Sequence, residues 1–267
     1  MTVRRSAKAI IPLLVAGALA ILASPAVVSA ARAQDAPHAA LTEDVTAAFA
    51  RMGKTLAAKQ FSFRSHQIRA YAGPNGELLH IVTDTKTVVS RPDRIAVEIT
   101  GDNGATKLLY DGKTLVLFSV DKKRYLKIPL TGDIPKMVDV AEKRMGAELP
   151  LSDLLSADPE HSVLSDVTSG GQVGTAIIDG VPCRHFFFNQ SDDLELEIWL
   201  EDNDRSLPRR FYVTYRNLAG RPSFIAELSD WEFPNEIPDS AFVFQPPAGA
   251  EQVDASAGGS AAPAPAK

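Results

Sequence analysis

The sequence predicts a mainly β protein with few helices, built as a single curved antiparallel sheet whose concave face the helices cover. From Phe61 onward, apolar and polar residues alternate with the period of two that is typical of strands. Turn signals recur every ten to twenty residues, as in an antiparallel meander. The few helical segments carry apolar stripes that have only the sheet to pack against, so one layered domain accounts for both patterns.

The first 33 residues have the three-part pattern of a secretory signal peptide. Arg4, Arg5 and Lys8 precede an apolar run over residues 10–23, and small residues lead to Ala33, where cleavage is expected, with Ala30 as the alternative. The apolar run is shorter than the ~20 residues of a membrane-spanning helix. We therefore expect a cleaved signal, a periplasmic protein and no transmembrane anchor after cleavage.

The cysteine content argues against lipidation, and the charge argues against two classes of binding partner. The single cysteine, Cys183, lies far from the cleavage site, so no thiol there can be lipidated. Without residues 1–33 the chain has 24 basic and 33 acidic residues, a formal charge of −9. This balance argues against binding to nucleic acid or to an anionic membrane, which both require a basic surface.

The remaining sequence divides into a linker over residues 34–40, a β-domain over 41–250 and a flexible Ala/Pro/Gly tail over 251–267. Apolar residues spaced by three and four predict an amphipathic helix over 42–59. Two further short helices are predicted over 134–146 and 149–156, and we expect them to form a lid. The β pattern stops between Pro129 and Ser165 and then resumes.

Asx-Gly pairs mark the predicted hairpins, because glycine readily adopts the positive φ that tight turns require. A two-residue turn at Asp111-Gly112 would pair Tyr110 with Lys113 and Leu108 with Leu115. Both faces of this hairpin are apolar, which predicts that it is covered on both sides. The other pairs are Asn75-Gly76, Asn103-Gly104 and Asp179-Gly180.

One strand shows the alternation most clearly. In LELEIWLE, residues 194–201, four aliphatic side chains share one face, while Trp199 stands among glutamates on the other. Such a face either closes a solid core or borders a ligand cavity, and the pattern alone is compatible with both. The same question applies to inward residues of other strands, among them Val97, Ile99, Phe211 and Val213.

The order of several segments resembles a known group of proteins. An N-terminal helix is followed by a strand with Phe61 and Phe63, then by RPDRIAVEI, LLYDGKTLVLFSVDKKRY, IDGVPCRHFFF and EIWLEDNDRSLPRR. This order over residues 41–247 is similar to that of the LolA-like periplasmic group, which includes lipoprotein carriers and lipid-binding lipoproteins. It resembles in particular the DUF2092 family of predicted periplasmic proteins.

The resemblance implies an open or half β-barrel with helices over an apolar hollow that receives lipid or lipoprotein acyl chains, in a carrier or a sensor. The residues expected to line this hollow are Phe63, Val97, Ile99, Leu154, Leu194, Leu196, Ile198, Phe211 and Val213. The alternative is an envelope module that binds another protein and no lipid, with Trp199 on its surface.

No residue pattern indicates catalysis or a cofactor. The five histidines have no metal-ligand spacing, and the acidic cluster at 201–204 lacks the loop of a calcium site. Neither a phosphate-binding glycine loop nor a nucleophile elbow is present. We therefore expect a binding protein without enzymatic activity, metal or cofactor.

Overall fold

The computed structural model describes residues 41–73, 75–145, 149, 151–191 and 193–253, and all structural statements concern these residues. The expected signal peptide over 1–33 and the linker over 34–40 lie outside them. So does most of the expected tail, residues 254–267.

Three α-helices and two short 3₁₀ segments occur in the described part of the chain. Helix α1 begins one residue after the predicted start. The negatively charged Glu43 and Asp44 in its first turn stabilise the helix through their interaction with the positive end of the helix dipole. It ends three residues before the predicted end, because the chain enters the first strand at Gln60. The helices are α1 (Glu43–Leu56), α2 (Ile134–Met145) and α3 (Pro159–Leu164), and the 3₁₀ segments are Ser152–Leu155 and Asp239–Ala241.

The described strands number twelve and form one open sheet, which confirms the predicted fold class. Their order across the sheet is β12-β6-β5-β4-β3-β2-β1-β11-β10-β9-β8-β7. The strands are β1 (Gln60–Ala72), β2 (Leu78–Ser90), β3 (Arg94–Gly101), β4 (Gly104–Tyr110), β5 (Thr114–Ser119), β6 (Arg124–Pro129), β7 (Val167–Ile178), β8 (Val181–Gln190), β9 (Leu194–Glu201), β10 (Pro208–Tyr215), β11 (Ser223–Glu232) and β12 (Glu251–Val253).

All neighbouring strands pair antiparallel except β12, which pairs parallel with β6. Residues 251–253, which the sequence places in the tail, therefore extend the sheet at one edge. A crossover joins the two halves of the sheet, because β1 lies between β2 and β11. The first and last long strands of the domain thus meet at its centre.

The predicted register of the β4–β5 hairpin is wrong by two residues. Tyr110 pairs with Leu115 and Leu108 with Leu117, so four residues rather than two lie between the last paired residues of β4 and β5. The Asp111 carboxylate accepts hydrogen bonds from the backbone N–H groups of Lys113 and Thr114, which stabilises the longer turn. Since the shift is an even number, every side chain keeps its predicted face.

We call the sheet face that carries Phe61, Phe63, Phe186 and Ile198 the inner face, and the opposite one the outer face. Helix α1 packs on the inner face, where Phe49 lies edge-on to Phe186 and Phe188 with ring centroids 5.2 and 5.5 Å apart. Phe49 is fully buried. This aromatic cluster makes the core under α1 a closely packed one.

The segment between β6 and β7 forms a helical insertion: α2, the 3₁₀ segment Ser152–Leu155 and α3. Arg91, in the turn after β2, holds this insertion against α1. Its guanidinium donates hydrogen bonds to the carbonyl oxygens of Leu56, Leu154 and Leu155 at 3.2, 3.2 and 2.8 Å. Burial lowers the pKa of Arg91. One side chain thereby ties the end of α1 to the insertion.

The hairpin of β4 and β5 is covered on both faces, as its sequence predicts. Leu108, Tyr110 and Leu115 belong to the inner core. On the outer face, the ring of Phe118 packs against Phe244 at 5.2 Å. The C-terminal segment therefore shields this part of the outer face from water.

Candidate functional site

The aliphatic row of β9 runs from the core into a cavity. Ile198 and Leu200 are fully buried in the core, Leu196 is buried, and Leu194 at the start of the strand is half-buried. Leu194 and Leu196 face a cavity, whereas Ile198 and Leu200 do not. A single row of side chains on one face thus belongs to two environments.

The cavity lies between the inner face and the helical insertion, and its volume is about 380 Å³. Strands β9 and β10 form its floor, and the insertion forms its roof. Eight of the fourteen lining residues have aliphatic or phenyl side chains, and six carry polar groups. The lining residues are Arg69, Glu142, Leu149, Leu151, Ser152, Asp153, Leu154, Val163, Gln190, Leu194, Leu196, Phe211, Val213 and Tyr215.

Burial of the lining side chains shows where the cavity opens. Leu154, Val163 and Phe211 are buried, whereas Leu194 and Tyr215 are only half-buried. These two residues stand at the start of β9 and at the end of β10, on the same end of the sheet. The cavity therefore has an apolar interior and a mouth at this end.

Two carboxyl groups of the insertion, those of Glu142 and Asp153, line the cavity. Burial raises the pKa of Glu142, and the Asp139 carboxylate raises it further. The pKa of Asp153 is raised to about 6, first because protein atoms displace water from the carboxyl group and then because Glu142 and Asp166 repel its negative charge. Asp153 is exposed, so the roof of the cavity carries a group that titrates in mildly acidic solution.

Five of the nine residues that the sequence assigns to the hollow line this cavity: Leu154, Leu194, Leu196, Phe211 and Val213. The other four share the inner face but lie elsewhere. Phe63 and Ile198 are buried in the core, Val97 packs against the core, and Ile99 is half-buried farther along β3.

Of the lining that the insertion supplies, the sequence reasoning identified only Leu154. Leu149 and Leu151 belong to the apolar stripe on which Leu154 was recognised, so the same signal could have found them. Val163 and Gln190 gave no signal. Val163 lies in α3, a separate helix that begins at Pro159 with Asp158 accepting a hydrogen bond from the backbone N–H of His161.

The outer face has a groove of its own, with a volume of about 450 Å³. Trp199 lies in it, sandwiched between neighbours rather than freely exposed: the His185 ring is stacked on it with centroids 4.0 Å apart, and the Arg210 guanidinium is 5.5 Å from the ring centre. His185 Nε2 is 2.7 Å from a Glu197 oxygen, and Arg210 pairs with Glu227 at 2.5 Å. The polar groups of the groove thus largely satisfy one another.

The described residues contain neither a metal-binding cluster nor a membrane-spanning helix. Among them, no group of three or more His, Cys, Asp and Glu side chains is placed to hold a metal ion. None of the helices in these ranges has the length and apolarity needed to cross a bilayer.

Several solved structures are similar to this chain at low sequence identity. An uncharacterized conserved protein from Thermus thermophilus is 8% identical, with a TM-score of 0.46, and the match covers 79% of this chain and 99% of that protein. Lipoprotein LppX from Mycobacterium tuberculosis is 15% identical, with a TM-score of 0.43 and coverages of 74% and 100%. MucB of Pseudomonas aeruginosa, in a MucA/MucB complex, is 14% identical, with a TM-score of 0.42 and coverages of 75% and 61%.

No curated protein sequence matches the chain significantly. A family match does cover most of the chain, over residues 46–255, which include every described strand and helix except the first residues of α1. The chain belongs to the family described as predicted periplasmic protein (DUF2092).

Proposed function

We propose that this protein binds a hydrophobic ligand in the periplasm, a lipid or the acyl chain of a lipoprotein, and acts as a carrier or a sensor rather than as an enzyme. The observation that supports this most is the apolar cavity between β9, β10 and the insertion. Its buried lining offers a ligand few hydrogen-bonding groups, so the ligand part that enters should be a hydrocarbon.

The size of the cavity limits what enters. Its volume of 380 Å³ is near the lower end of the roughly 300–1,000 Å³ of ligand pockets. One acyl chain is therefore a better fit than a lipid with several. Each CH₂ group transferred from water contributes about 0.8 kcal/mol, so a single long chain can bind without a polar anchor.

Export is the second part of the proposal. The signal-peptide pattern over residues 1–33 and the lack of a cysteine near the expected cleavage site support a mature protein that is neither anchored nor lipidated. N-terminal sequencing and mass measurement of the protein isolated from the periplasm test both expectations.

A cavity-filling variant tests the binding proposal. Val213→Trp places a large ring in the cavity, and Ile99→Trp places the same ring on the inner face outside it. Uptake of a fluorescent long-chain fatty acid is measured for both variants and for the wild type, together with their thermal unfolding. Val213→Trp should lower the affinity at least about tenfold, because the ring excludes the chain from the space it would occupy.

The Ile99→Trp control shows whether a loss of fatty-acid binding in Val213→Trp is specific to the cavity. Ile99→Trp should bind as the wild type does, and both variants should unfold cooperatively. Equal uptake by Val213→Trp and the wild type would contradict binding in this cavity. Equal loss in both Trp variants would point to a general effect of the ring on the sheet.

The outer-face groove around Trp199 supports the alternative function, an envelope module that binds protein. Under this alternative, Trp199→Ala would abolish binding of a purified envelope partner, whereas Val213→Trp would leave it unchanged. The reverse pattern, with fatty-acid uptake lost only in Val213→Trp, favours the first proposal.

A further inference from the structure

Strand β7 forms one edge of the sheet, and β8 is its one neighbouring strand among the described residues. The opposite edge, β12, has three residues, one of them Glu251. Strand β7 has twelve residues, and none of them is charged or a proline. Natural proteins keep other strands from pairing with a sheet edge by short length, charged side chains, proline or bulges. Of these protections, only bulges are available to β7.

The bulges leave the second half of β7 regular. Both interruptions of its pairing with β8 lie before Gly174, and residues 174–178 pair with β8 without a break. The strand also carries the two most exposed large apolar side chains of the described residues, Ile177 at 76% and Val173 at 61%. Since bulges bend the strand only locally, the regular half, with Ile177, has the geometry to accept another strand.

The backbone of this regular half directs hydrogen-bonding groups toward the open edge. Ile177 lies opposite Pro182 of β8. The carbonyl oxygen of Pro182 accepts a hydrogen bond from the backbone N–H of Asp202, which follows β9, so Pro182 directs its carbonyl group away from β7. Ile177 and Pro182 therefore form a pair without hydrogen bonds, and the N–H and C=O of Ile177 point outward. Because the pattern alternates along the strand, those of Thr175 point outward too.

The regular half of β7 is complementary to a second copy of itself. Ala176 is the middle residue of the run 174–178, so a twofold axis at Ala176 places Thr175 of each copy opposite Ile177 of the other. Both of these are then hydrogen-bonded pairs, in which the outward N–H groups donate to the outward C=O groups. Ala176 meets its own copy in a non-hydrogen-bonded pair, where the strands lie closest and a methyl side chain fits.

The charge of the chain and the form of the other edge both favour this pairing. Two chains with a formal charge of −5 each repel one another, so contact between them is favoured on an uncharged surface such as β7. A contact between β7 and the β12 strand of a second copy would offer only three residues, with Glu251 among them. It would also be head-to-tail and open-ended, whereas a twofold contact between two β7 strands closes on itself.

We propose that two copies of this protein associate through β7 and form a symmetric dimer, in which the two sheets continue into one across the axis. The two Ile177 side chains then lie diagonally across the axis on the same face, each opposite a Thr175, so that pairing removes exposed apolar area from water. The inference is independent of the proposed function, because it rests on the edge strand and not on the cavity.

Sedimentation velocity over a range of protein concentrations tests the dimer. The test variant is Ile177→Lys. The matched control is Leu218→Lys, which places the same charge at an exposed leucine in the turn between β10 and β11. Ile177→Lys should raise the dissociation constant of the dimer at least about tenfold, because every dimer then holds two lysines beside the axis. Leu218→Lys should associate as the wild type does.

A second variant removes one outward N–H group without changing the charge. Thr175→Pro should also weaken association, because proline has no N–H to donate, and its melting temperature should stay near that of the wild type, because β8 does not use this N–H group. The Thr175 amide proton should exchange more slowly in the wild type than in Ile177→Lys. A dimer that both β7 variants leave intact would overturn the proposal. So would a monomeric wild type, even one isolated with a peptide of another protein on β7.

Discussion

The core under α1 and the cavity under the insertion are built on the same face of the same sheet. Under α1, the fully buried Phe49 packs edge-on against both Phe186 and Phe188. Under the insertion, short segments cover Leu194, Leu196 and Val213 and leave about 380 Å³ open. The inner face of the sheet is apolar in both regions, and the covering element differs.

The comparison shows that an apolar strand face does not by itself specify a core. A long amphipathic helix presents an unbroken stripe of side chains that fills the space above a sheet. Most of the roof comes from a 3₁₀ segment of four residues, its flanking residues and a helix of six, which cannot present such a stripe, whereas the longer helix α2 contributes Glu142 to the lining. The cavity is therefore a property of the insertion and of how it is held.

The largest expected effect is on the core under α1. Phe49→Ala should lower the free energy of unfolding by about 3–5 kcal/mol, because it removes a fully buried ring and leaves a void. Urea denaturation followed by tryptophan fluorescence measures this change. A loss below about 1 kcal/mol would mean that this region is as loosely packed as the cavity.

A second pair of variants compares the two ends of β9 directly. Ile198→Ala should cost about 2–5 kcal/mol, as expected for a buried aliphatic side chain. Leu194→Ala should cost about 1 kcal/mol or less, since a half-buried side chain beside an existing cavity loses fewer contacts. The same denaturation experiment measures both. Equal losses of unfolding free energy in the two variants would contradict the distinction between the end of the row that is buried in the core and the end that borders the cavity.

Arg91 allows a test of how the insertion is held. Arg91→Lys should lower stability by about 1.5–3 kcal/mol, because an ammonium group cannot reach the three carbonyl oxygens that the guanidinium fork binds. Hydrogen exchange should become faster in the insertion and stay unchanged in β8 and β9. Arg94→Lys is the control, because the Asp239 partner of Arg94 is exposed. Uniformly faster exchange throughout the sheet would show that Arg91 has no special role at the insertion.

The smallest expected effect depends on pH. Because the pKa of Asp153 is raised from 3.8 to about 6 in the folded protein, the folded state holds this proton more tightly than the unfolded state does. The contribution of Asp153 to stability therefore falls as the pH rises from about 4 to about 6 and is constant above that.

Asp153→Asn removes this dependence. Its melting temperature relative to the wild type should increase between about pH 4 and pH 7. A constant difference across this range would contradict the raised pKa. Glu142→Gln should produce a smaller change of the same sign, since its repulsion of Asp153 is the second cause of the shift.

The sequence predicted the sheet, α1 and the inward-facing residues because these depend on local periodicity. Gly76, Gly104, Gly112 and Gly180 all have positive φ, as expected for the Asx-Gly pairs that mark the predicted hairpins. The register at Asp111 could not be predicted, because the Asp111 side chain stabilises a longer turn than the Asx-Gly pair alone requires.

The division between core and cavity was beyond sequence reasoning. Ile198 and Leu196 are equivalent in the β9 pattern, yet one is sealed in the core and the other borders the cavity. Which element covers which residue depends on long-range contacts, among them those of Arg91 with the carbonyl oxygens of Leu154 and Leu155. No periodicity in the chain encodes those contacts.

Native mass spectrometry of the mature protein isolated from its own periplasm, followed by lipid extraction, tests the central claim most directly. We expect a reproducible bound molecule that carries an acyl chain, present on the wild type and on Ile99→Trp and absent from Val213→Trp. A wild-type protein that is isolated empty and also takes up no fluorescent fatty acid would contradict the claim that the cavity is a lipid site.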